Sequence, residues 1–248
     1  VQKISLDAGL TCPNRDGTVG RGGCIYCNPR GSGTGSAGRG QSLTDQVLTA
    51  QAFLRKRYKA SKFLGYFQSF TNTYAPLSTL LDMYEEVLAL PDMVGLTIGT
   101  RPDCVPDDTL DGVSGLTRKG LIWMEYGLQS AHDATLERIN RGHRVEDFLS
   151  AAERSHKRDL PVCAHVILGL PGEGHDQMMD TARFLGRLGV EAVKLHLLYV
   201  VRGTRLHALH QAGDYTCLSR DEYVRLVGDF LSLLPPEMII YRLTGDPH

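Results

Sequence analysis

Residues 11–28, TCPNRDGTVGRGGCIYCN, are the stretch of sequence that is most informative about the fold. They follow directly on a short apolar run, Lys3–Leu6, that is typical of a β-strand. The residues between Cys12 and Cys24 include four glycines and one proline, so this loop can wrap around a bulky ligand without steric penalty. In parallel barrels the chemistry lies at the carboxyl ends of the strands. The position of the loop therefore predicts a parallel β/α architecture with a metal centre at one end.

Strand-like runs alternate with helical patterns along most of the chain. The predicted strands are Lys3–Leu6, Phe63–Gln68, Val94–Gly99, Leu121–Tyr126, Pro161–Leu168 and Val193–Leu198. The predicted helices are Leu43–Ala60, Ser78–Leu90, Asp107–Lys119, Asp133–Ile139, Val145–Arg158 and His175–Leu188. Repetition at intervals of roughly 30 residues matches βαβ units in a parallel sheet. We expect Gly120 and Gly189 to end two of the helices in the left-handed conformation.

Six β/α units predict an α/β fold of the partial (β/α)6 TIM-like barrel type, because a complete TIM barrel has eight units. A doubly wound sheet is the alternative. The patterns at Leu218–Leu234 and Met238–Leu243 predict a further helix and a late strand. We expect residues 1–248 to form a single domain, with a cysteine loop at 8–42, a barrel at 1–200 and a C-terminal extension of helix and strand at 201–248. The chain opens on Val1, so we expect the natural protein to be longer.

The count of cysteines indicates a metal centre. Six cysteines in 248 residues are too sparse for a disulfide scaffold, and soft thiolate ligands suit zinc or an iron–sulfur cluster. A structural zinc site recruits a fourth ligand nearby, but the first histidine is His132 and the next cysteine is Cys104. A cubic cluster on three thiolates keeps one iron open. The spacing therefore favours iron–sulfur, with zinc and unligated thiols as the alternatives.

Charge is unevenly spread along the chain. Residues 1–62 carry ten Lys or Arg against three Asp, a net charge of +7, whereas the whole chain has a net charge of −1. Such a basic lobe can attract a polyanion, and a solvated helix end is the alternative. No run approaches the roughly 20 apolar residues that cross a bilayer, and no signal peptide is visible. We expect a cytoplasmic protein with no membrane partner.

Four later segments identify a family. They are LTIGTRPDCVPDDTL (96–110), WMEYGLQSAHDATLERINRGHRVEDF (123–148), VCAHVILGLPGE (162–173) and VKLHLLYVVRGTRL (193–206). Together with the cysteine loop, they resemble, in the same order, radical S-adenosylmethionine (SAM) enzymes related to the catalytic half of Elongator subunit 3. The small bacterial and archaeal proteins of that group are the most similar, and oxygen-independent coproporphyrinogen oxidase is similar more distantly. The resemblance covers nearly the whole chain.

The resemblance implies a [4Fe–4S] cluster on Cys12, Cys24 and Cys27, with SAM on the open iron. One electron from a reductase, flavodoxin or ferredoxin then cleaves SAM, and the resulting 5′-deoxyadenosyl radical abstracts a substrate hydrogen atom. The implied SAM contacts are Tyr26, Gln68, Ser69, Asn72, Glu125, Gln129, Arg141, His165, Gly169 and Leu170. Relatives carry a Glu where this chain has Gly99, so Glu125 is the candidate for the ribose.

Several polar residues are candidates for the chemistry. The candidates for catalysis are Cys104, His143 and His196, and those for substrate binding are Arg101, His143, Lys194, His196 and Arg202. For Arg101 the alternative is a structural salt bridge, and for Cys104 and His196 it is a packing role. We expect Cys163, Cys217 and Trp123 to pack.

The preferred functional hypothesis is an enzyme that modifies a tRNA base, with the C5 substituent of the wobble uridine as the first candidate. The Elongator resemblance and the basic lobe motivate it, because splayed anticodon bases can enter a pocket while phosphates need a basic surface. One alternative is radical SAM oxidation or decarboxylation of a small anionic molecule. The other is a non-enzymatic, metal-stabilised RNA-binding module.

Overall fold

A computed structural model describes residues 1–28, 31 and 33–245 of the chain. Seven strands form one parallel sheet, and their order across the sheet is their order along the chain. The strands are β1 (Gln2–Leu6), β2 (Phe63–Phe67), β3 (Met93–Thr100), β4 (Leu121–Gln129), β5 (Val162–Leu168), β6 (Ala192–Leu197) and β7 (Ile239–Arg242). Within these residues β1 does not pair with β7, so the sheet stays open. The strand order never reverses, which excludes the doubly wound alternative.

Helices connect successive strands. They are α1 (Pro13–Asp16), α2 (Leu43–Tyr58), α3 (Leu77–Leu88), α4 (Asp107–Gly115), α5 (Asp133–Arg138), α6 (Val145–His156), α7 (His175–Leu188), α8 (Arg205–Ala212) and α9 (Arg220–Ser232). Short 3-10 turns lie at Ala37–Arg39, Pro102–Cys104 and Leu116–Arg118. Among the helices described, none is both long and apolar enough to cross a membrane.

Local sequence signals set where two helices begin. At the start of α2, Ser42 Oγ accepts a hydrogen bond from the backbone N–H of Asp45, and the Asp45 carboxylate accepts one from the Ser42 backbone. Ser219 and Glu222 form the same reciprocal pair at the start of α9. Each pair satisfies two backbone N–H groups that the first helical turn leaves without partners.

The two faces of the sheet differ in character. The outer face is apolar, with side chains such as Phe67, Leu96 and Ile98 fully buried against the helices. Burying side chains of this size stabilises the fold by about 1.5–3 kcal/mol each. The inner face carries a small apolar layer, where Cys163 packs with Trp123 as expected. Beyond that layer the inner face becomes polar, and this polar part positions the site.

Several details differ from the sequence-based expectations. The late strand β7 pairs with β6, so it is a seventh strand of the sheet. The helices α1 and α8 were not predicted, because each spans only one or two turns. Gly189 ends α7 with a φ of 74° as expected, but Gly120 is not left-handed. A Cβ at Gly120 would lie 3.0 Å from the Val94 carbonyl oxygen, so close backbone approach explains that glycine.

Two expected segments fall partly outside the described residues. In the cysteine loop, expected at 8–42, these are residues 29, 30 and 32. In the C-terminal extension, expected at 201–248, they are residues 246–248.

Candidate active site

The cysteine loop is shaped by a short helix and by left-handed glycines. Cys12 lies directly before α1, and its carbonyl oxygen accepts a hydrogen bond from the backbone of Arg15 at 2.8 Å. Gly17 and Gly23 have φ values of 100° and 75°, which residues with a Cβ rarely adopt. The loop therefore returns sharply after one helical turn and brings Cys24 back toward Cys12.

Side-chain N–H groups point at two of the three sulfur atoms. Arg15 Nη1 lies 3.2 Å from Cys27 Sγ, and Arg141 Nη1 lies 3.6 Å from Cys24 Sγ. Asn14 Nδ2 lies 3.8 Å from Cys24 Sγ. Donors of this kind favour negative charge on sulfur and tune a metal–thiolate centre. The surroundings of the two sulfurs thus suit metal-bound thiolates.

The three thiols also lie close to one another. All three are free cysteines, and all three line the same cavity. Burial and the neighbouring Cys24 raise the pKa of the Cys27 thiol to about 11, and Cys12 adds to the effect. A bound metal cation reverses such a shift, because it stabilises the thiolate. Three converging soft ligands fit an iron–sulfur cluster with one open iron.

The cavity next to the cysteines has a volume of about 410 Å³. The cysteine loop forms one side, at the carboxyl ends of the strands. The opposite side is the polar floor, which we define as Tyr66, Glu125, His165, Lys194 and Arg242. A cavity of this size, with convergent polar groups, is typical of a small-molecule or cofactor site.

Six of the ten expected SAM contacts line this cavity: Tyr26, Gln68, Glu125, Gln129, Arg141 and His165. The Arg141 guanidinium is buried and donates to the Gly127 carbonyl oxygen at 3.0 Å. Its Nε is buried without a partner in the described chain, as are Tyr26 Oη and Thr71 Oγ1. Buried polar atoms are normally paired, so these atoms at a cavity wall indicate a polar ligand.

Glu125 is the centre of the polar floor. Its fully buried carboxylate accepts from Lys3 Nζ at 2.6 Å, from His165 Nε2 at 2.6 Å and from Lys194 Nζ at 3.0 Å. Burial alone would raise the pKa of Glu125, but Lys194, His165 and Lys3 outweigh it and hold that pKa well below its ordinary value. Glu125 is therefore ionised at neutral pH, and its carboxylate is already engaged.

The cations around Glu125 are held in place by aromatic rings. Lys194 Nζ lies 3.9 Å from the centre of the Tyr66 ring, and Lys3 Nζ lies 4.3 Å from that of Tyr241. Burial, with the charges of Lys3 and Arg242, lowers the pKa of Lys194 to about 8 even though Glu125 opposes the shift. The floor is thus a dense, buried cluster of charge.

Glu125, Cys163 and His165 also place three ligand atoms within 4.8 Å of one another. A metal ion there would compete with two ammonium groups on the same carboxylate, Lys3 and Lys194. We therefore assign no metal to this trio.

The structure explains why this chain has a glycine at position 99, where the relatives named in the sequence analysis carry a Glu. A Cβ at this position would lie 2.8 Å from the Phe67 carbonyl oxygen and 3.3 Å from the Tyr66 ring. Strand β2 therefore leaves no room for a side chain at Gly99. The Glu125 carboxylate, one strand further on and paired in register with Gly99, is the acid on this part of the wall.

The structure places seven expected site residues outside this cavity wall: Ser69, Asn72, Gly169, Leu170, His143, Cys104 and Arg202. Asn72 Nδ2 donates to the Gly99 carbonyl oxygen at 2.7 Å and so ties the end of β2 to β3. The Gly169 carbonyl oxygen accepts from Tyr215 Oη at 2.9 Å, and Leu170 is buried in an apolar cluster. Ser69 is buried against Gly33. These four residues lie behind the residues that line the cavity.

The other three residues were candidates for catalysis or substrate binding. Cys104 lines a separate, more open groove of about 720 Å³, where burial and Asp103 raise the pKa of its thiol to about 12. His143 is buried behind the wall, and burial together with Arg141 keeps its pKa far below the ordinary value, so the ring is neutral. Arg202 is exposed. Their sequence positions near the site do not bring their side chains to the cavity.

Arg101 and His196 do line the cavity. Arg101 makes two hydrogen bonds to Asp103, at 2.9 Å and 2.7 Å, and one to the Arg141 carbonyl oxygen at 2.7 Å. Arg101 therefore forms the structural salt bridge that the sequence analysis gave as the alternative to substrate binding. His196 contacts the Leu197 carbonyl oxygen at 3.1 Å, and burial lowers its pKa to about 4. His196 remains a candidate for substrate contact.

The basic lobe is divided between the two ends of the sheet. α2 ends at Tyr58, next to the amino end of β2, and there Arg55 and Lys62 both pair with Asp92. That end is opposite to the cysteine loop, so this part of the basic lobe does not lie beside the cavity. Among the described residues, several exposed arginines lie in the segments that follow the strands at the carboxyl edge of the sheet. We call four of them, Arg21, Arg39, Arg202 and Arg205, the rim arginines.

Sequence reasoning missed Asn14, Arg15, Tyr66 and Arg242. Asn14 and Arg15 lie inside the quoted cysteine motif, and their position just after Cys12 was the available signal. Arg242 could be found only by knowing that β7 joins the sheet, where it lies in register with Lys194.

Comparison with known proteins gives a consistent result. Residues 14–185 match the family model described as Radical SAM superfamily, and residues 190–248 match that of the Radical_SAM C-terminal domain. The chain is 43% identical to YtqA of Bacillus subtilis over 246 residues, which is 99% of this chain and 76% of YtqA. It is 40% identical to YhcC of Escherichia coli K12, over 99% of this chain and 78% of YhcC.

Elongator complex protein 3 of Saccharomyces cerevisiae is 30% identical over 161 residues, 64% of this chain and 28% of that protein. The solved structure of Elp3 from Methanocaldococcus infernus, with an N-terminal deletion, superposes with a TM-score of 0.72 at 18% identity. It covers 99% of this chain and 57% of that one. Methylornithine synthase gives a TM-score of 0.67 at 13% identity, over 96% of this chain and 64% of its own. The predicted α/β partial-barrel fold is confirmed.

Proposed function

This chain belongs to the radical SAM superfamily, and from that premise we propose that it modifies a base of tRNA. The chain is an enzyme whose cofactors are a [4Fe–4S] cluster and SAM. The zinc interpretation and the non-enzymatic RNA-binding module therefore no longer apply. When both cofactors are bound, cleavage of SAM supplies a 5′-deoxyadenosyl radical that removes a hydrogen atom from the substrate.

The observation that carries the proposal is that three free cysteines and a buried polar floor face one cavity. We assign Cys12, Cys24 and Cys27 as the cluster ligands. Arg15 and Arg141 donate to two of these sulfurs and stabilise the thiolates. The loop thereby keeps the cluster at the carboxyl ends of the strands, above a pocket for SAM and substrate.

We assign Arg141 and Gln129 to the carboxylate of SAM. Arg141 Nε is buried with no partner among the described residues, and a guanidinium suits a carboxylate in a dry pocket. A Cβ at Gly127 would lie 2.6 Å from Arg141 Nη2 and 2.7 Å from Gln129 Nε2. The missing side chain at Gly127 leaves space for both polar groups at one point of the wall. Tyr26 and His165 line the remaining parts of the SAM pocket in this assignment.

Two observations support RNA as the substrate. The chain is related to Elongator complex protein 3, and the rim arginines are exposed around the end of the sheet that carries the cysteine loop. Proteins that act on single RNA bases bind the phosphates at a basic surface while the splayed base enters a pocket. The C5 substituent of the wobble uridine is the first target to test.

Three further assignments follow from the same proposal. A flavodoxin, a ferredoxin or a reductase would supply the electron. Residues 1–248 would act as a single radical SAM domain, because β7 continues the same sheet. A reducing cytoplasm would keep the free cysteines and the cluster intact.

The cluster assignment is tested by anaerobic reconstitution of the parent chain, Cys24→Ser and Cys217→Ser. Cys217 is the matched control, since it is a free, half-buried cysteine away from the cavity. Parent and control should each bind about four irons per chain, show the visible absorption of a cluster and form 5′-deoxyadenosine from SAM with a reductant. Cys24→Ser should lose all three signals. Equal iron content in all three proteins would contradict the assignment.

The substrate proposal is tested by comparing modified tRNA nucleosides from a deletion strain and its parent by mass spectrometry. We expect one modified nucleoside to disappear and its precursor to accumulate. Purified enzyme should bind tRNA with an affinity that falls steeply with salt, as phosphate contacts require. Unchanged nucleosides together with no salt-dependent binding would reject tRNA and leave a small anionic molecule as the substrate.

A further inference from the structure

The cavity carries more positive charge on its floor than its acids offset. Glu125 is the only carboxylate among the described residues that line it. Lys3 and Lys194 both pair with that one carboxylate, and Arg242 adds a third cation. His165 contributes no charge at neutral pH, because burial and Lys194 lower its pKa to about 4. The floor therefore has an excess of one positive charge, and Lys3, which pairs with Glu125 from outside the cavity lining, raises the excess of the whole cluster to two.

Arg242 has no counter-ion in the described chain. It lies half-buried on β7, in register with Lys194, and its Nε is buried without a hydrogen-bond partner. No salt bridge joins it to a described acid, whereas the buried Arg101 is paired with Asp103. A buried guanidinium N–H without a partner is unfavourable. An anion bound at this point would remove the penalty.

We propose that Arg242 and Lys194 bind an anionic group of the substrate, a carboxylate or a phosphate, at the floor of the cavity. This inference rests on the proposed function, because it places the substrate in the cavity assigned to the radical chemistry. The Arg242 guanidinium offers a planar fork that matches two oxygens of such a group, and the Lys194 ammonium offers a point charge. Tyr66 holds Lys194 in position from the other side.

The position of this site orients the substrate. Lys194 lies in the middle of β6, whereas the cysteine loop lies beyond the carboxyl ends of the strands. The anionic group is therefore the part of the substrate that reaches deepest into the barrel. If an RNA base enters the cavity from the rim, the phosphates of the RNA backbone stay at the rim arginines. The anionic group that reaches the floor then belongs to a substituent of the base itself.

The test uses the reconstituted full chain and three simple probes: acetate, its neutral isostere acetamide, and inorganic phosphate. Dissociation constants are taken from the probe-dependent rise in Tm at constant ionic strength. Acetate or phosphate should raise the Tm of the parent, and acetamide should not. Arg242→Gln should weaken the binding of the anion tenfold or more, and Arg242→Lys should weaken it less than Arg242→Gln does, because lysine keeps the charge but lacks the planar fork. Arg225→Gln, an exposed arginine on α9, should match the parent.

The outcomes separate this inference from the proposed function. If neither anion raises the Tm of the parent, or if Arg242→Gln binds them like the parent, the inference is wrong. If anion binding depends on Arg242 but tRNA nucleosides are unchanged in the deletion strain, the tRNA proposal fails and the anion site stands with a small molecule as its source. Preference for acetate identifies a carboxylate, and preference for phosphate identifies a phosphate. Should Arg242→Gln not fold, Arg242→Met keeps the apolar stem and replaces it.

Discussion

The most informative perturbation of the fold is Glu125→Gln, compared with Glu85→Gln. Both glutamates form an ion pair with a lysine at nearly the same distance, 2.6 Å from Lys3 to Glu125 and 2.7 Å from Lys119 to Glu85. They differ in burial, because the Glu125 side chain is 0% exposed and that of Glu85 is 49% exposed. The comparison therefore contrasts a buried carboxylate that has three polar partners with an exposed carboxylate in a single ion pair.

The magnitudes follow from that difference. Removing one partner of a buried ion pair costs about 3–5 kcal/mol of unfolding free energy, because the other charge is left uncompensated. Here two lysines lose their only shared carboxylate, so we expect the upper part of that range. The exposed pair contributes about 0–1 kcal/mol. For a chain of this size, about 2–4 °C of Tm accompanies each kcal/mol, so a loss of about 4–5 kcal/mol in Glu125→Gln should lower the Tm by roughly 8–20 °C.

The assay is thermal and urea unfolding of both variants and of the double variant Glu125→Gln/Lys194→Met. The double variant should recover part of the loss, since it removes one of the uncompensated buried cations. The Glu125 pKa is depressed, so its contribution is complete above the ordinary pKa of a carboxyl group and is lost only as the pH falls through the lower folded value. The gap between the variants should therefore persist at neutral pH and narrow in strong acid. If Glu125→Gln is as stable as Glu85→Gln, the reasoning about the polar floor is refuted.

Three other changes have definite expected results. Gly95→Ala should strongly destabilise the fold, because the new Cβ would collide with the Leu121 carbonyl oxygen. Gly228→Ala is its control: this glycine is exposed in α9, and the substitution should stabilise the fold by about 0.5–1 kcal/mol. Urea unfolding measures both changes. Arg141→Met should weaken SAM binding about ten- to hundredfold by equilibrium dialysis, since it removes a charged donor worth about 1.5–3 kcal/mol; an unchanged affinity would contradict its assignment. The pKa of His165 falls from 6.5 to about 4 on folding. Between these values the unfolded chain binds more protons than the folded chain, so stability should rise with pH across that window. Urea unfolding at pH 5 and pH 7 should show a smaller rise for His165→Gln than for the parent.

The parts of the fold that depend on local sequence were predictable. Runs of apolar and β-branched residues located β1 to β6, because a strand buried on both faces has a nearly continuous apolar pattern. Capping residues and apolar periodicity placed α2 and α7 within a few residues of their observed ends. The cysteine loop was equally local, since Cys12, Cys24 and Cys27 lie within one short segment.

The polar floor was not predictable, because its contacts are far apart in the sequence. Lys3 and Glu125 are separated by 122 positions, and Lys194 and Glu125 by 69. No periodicity within one strand shows that three charged side chains from different strands meet. Asn72 shows the limit of a motif in another way: its place in a motif predicted a position at the cavity, whereas its side-chain amide donates to the Gly99 carbonyl oxygen.

The buried charges inside the barrel lower the stability of the fold, and a functional role explains why they are there. A core is normally filled with apolar side chains, and replacing a buried ion cluster with apolar groups of similar volume is often neutral or stabilising. Lys3, Glu125 and Lys194 nevertheless occupy the inner face directly above the apolar layer of Trp123 and Cys163. Local departures from good packing are expected where a site must recognise a ligand. The floor thus costs stability and provides a fixed positive field on the side of the cavity opposite to the cysteine loop, as the recognition of an anionic ligand would require.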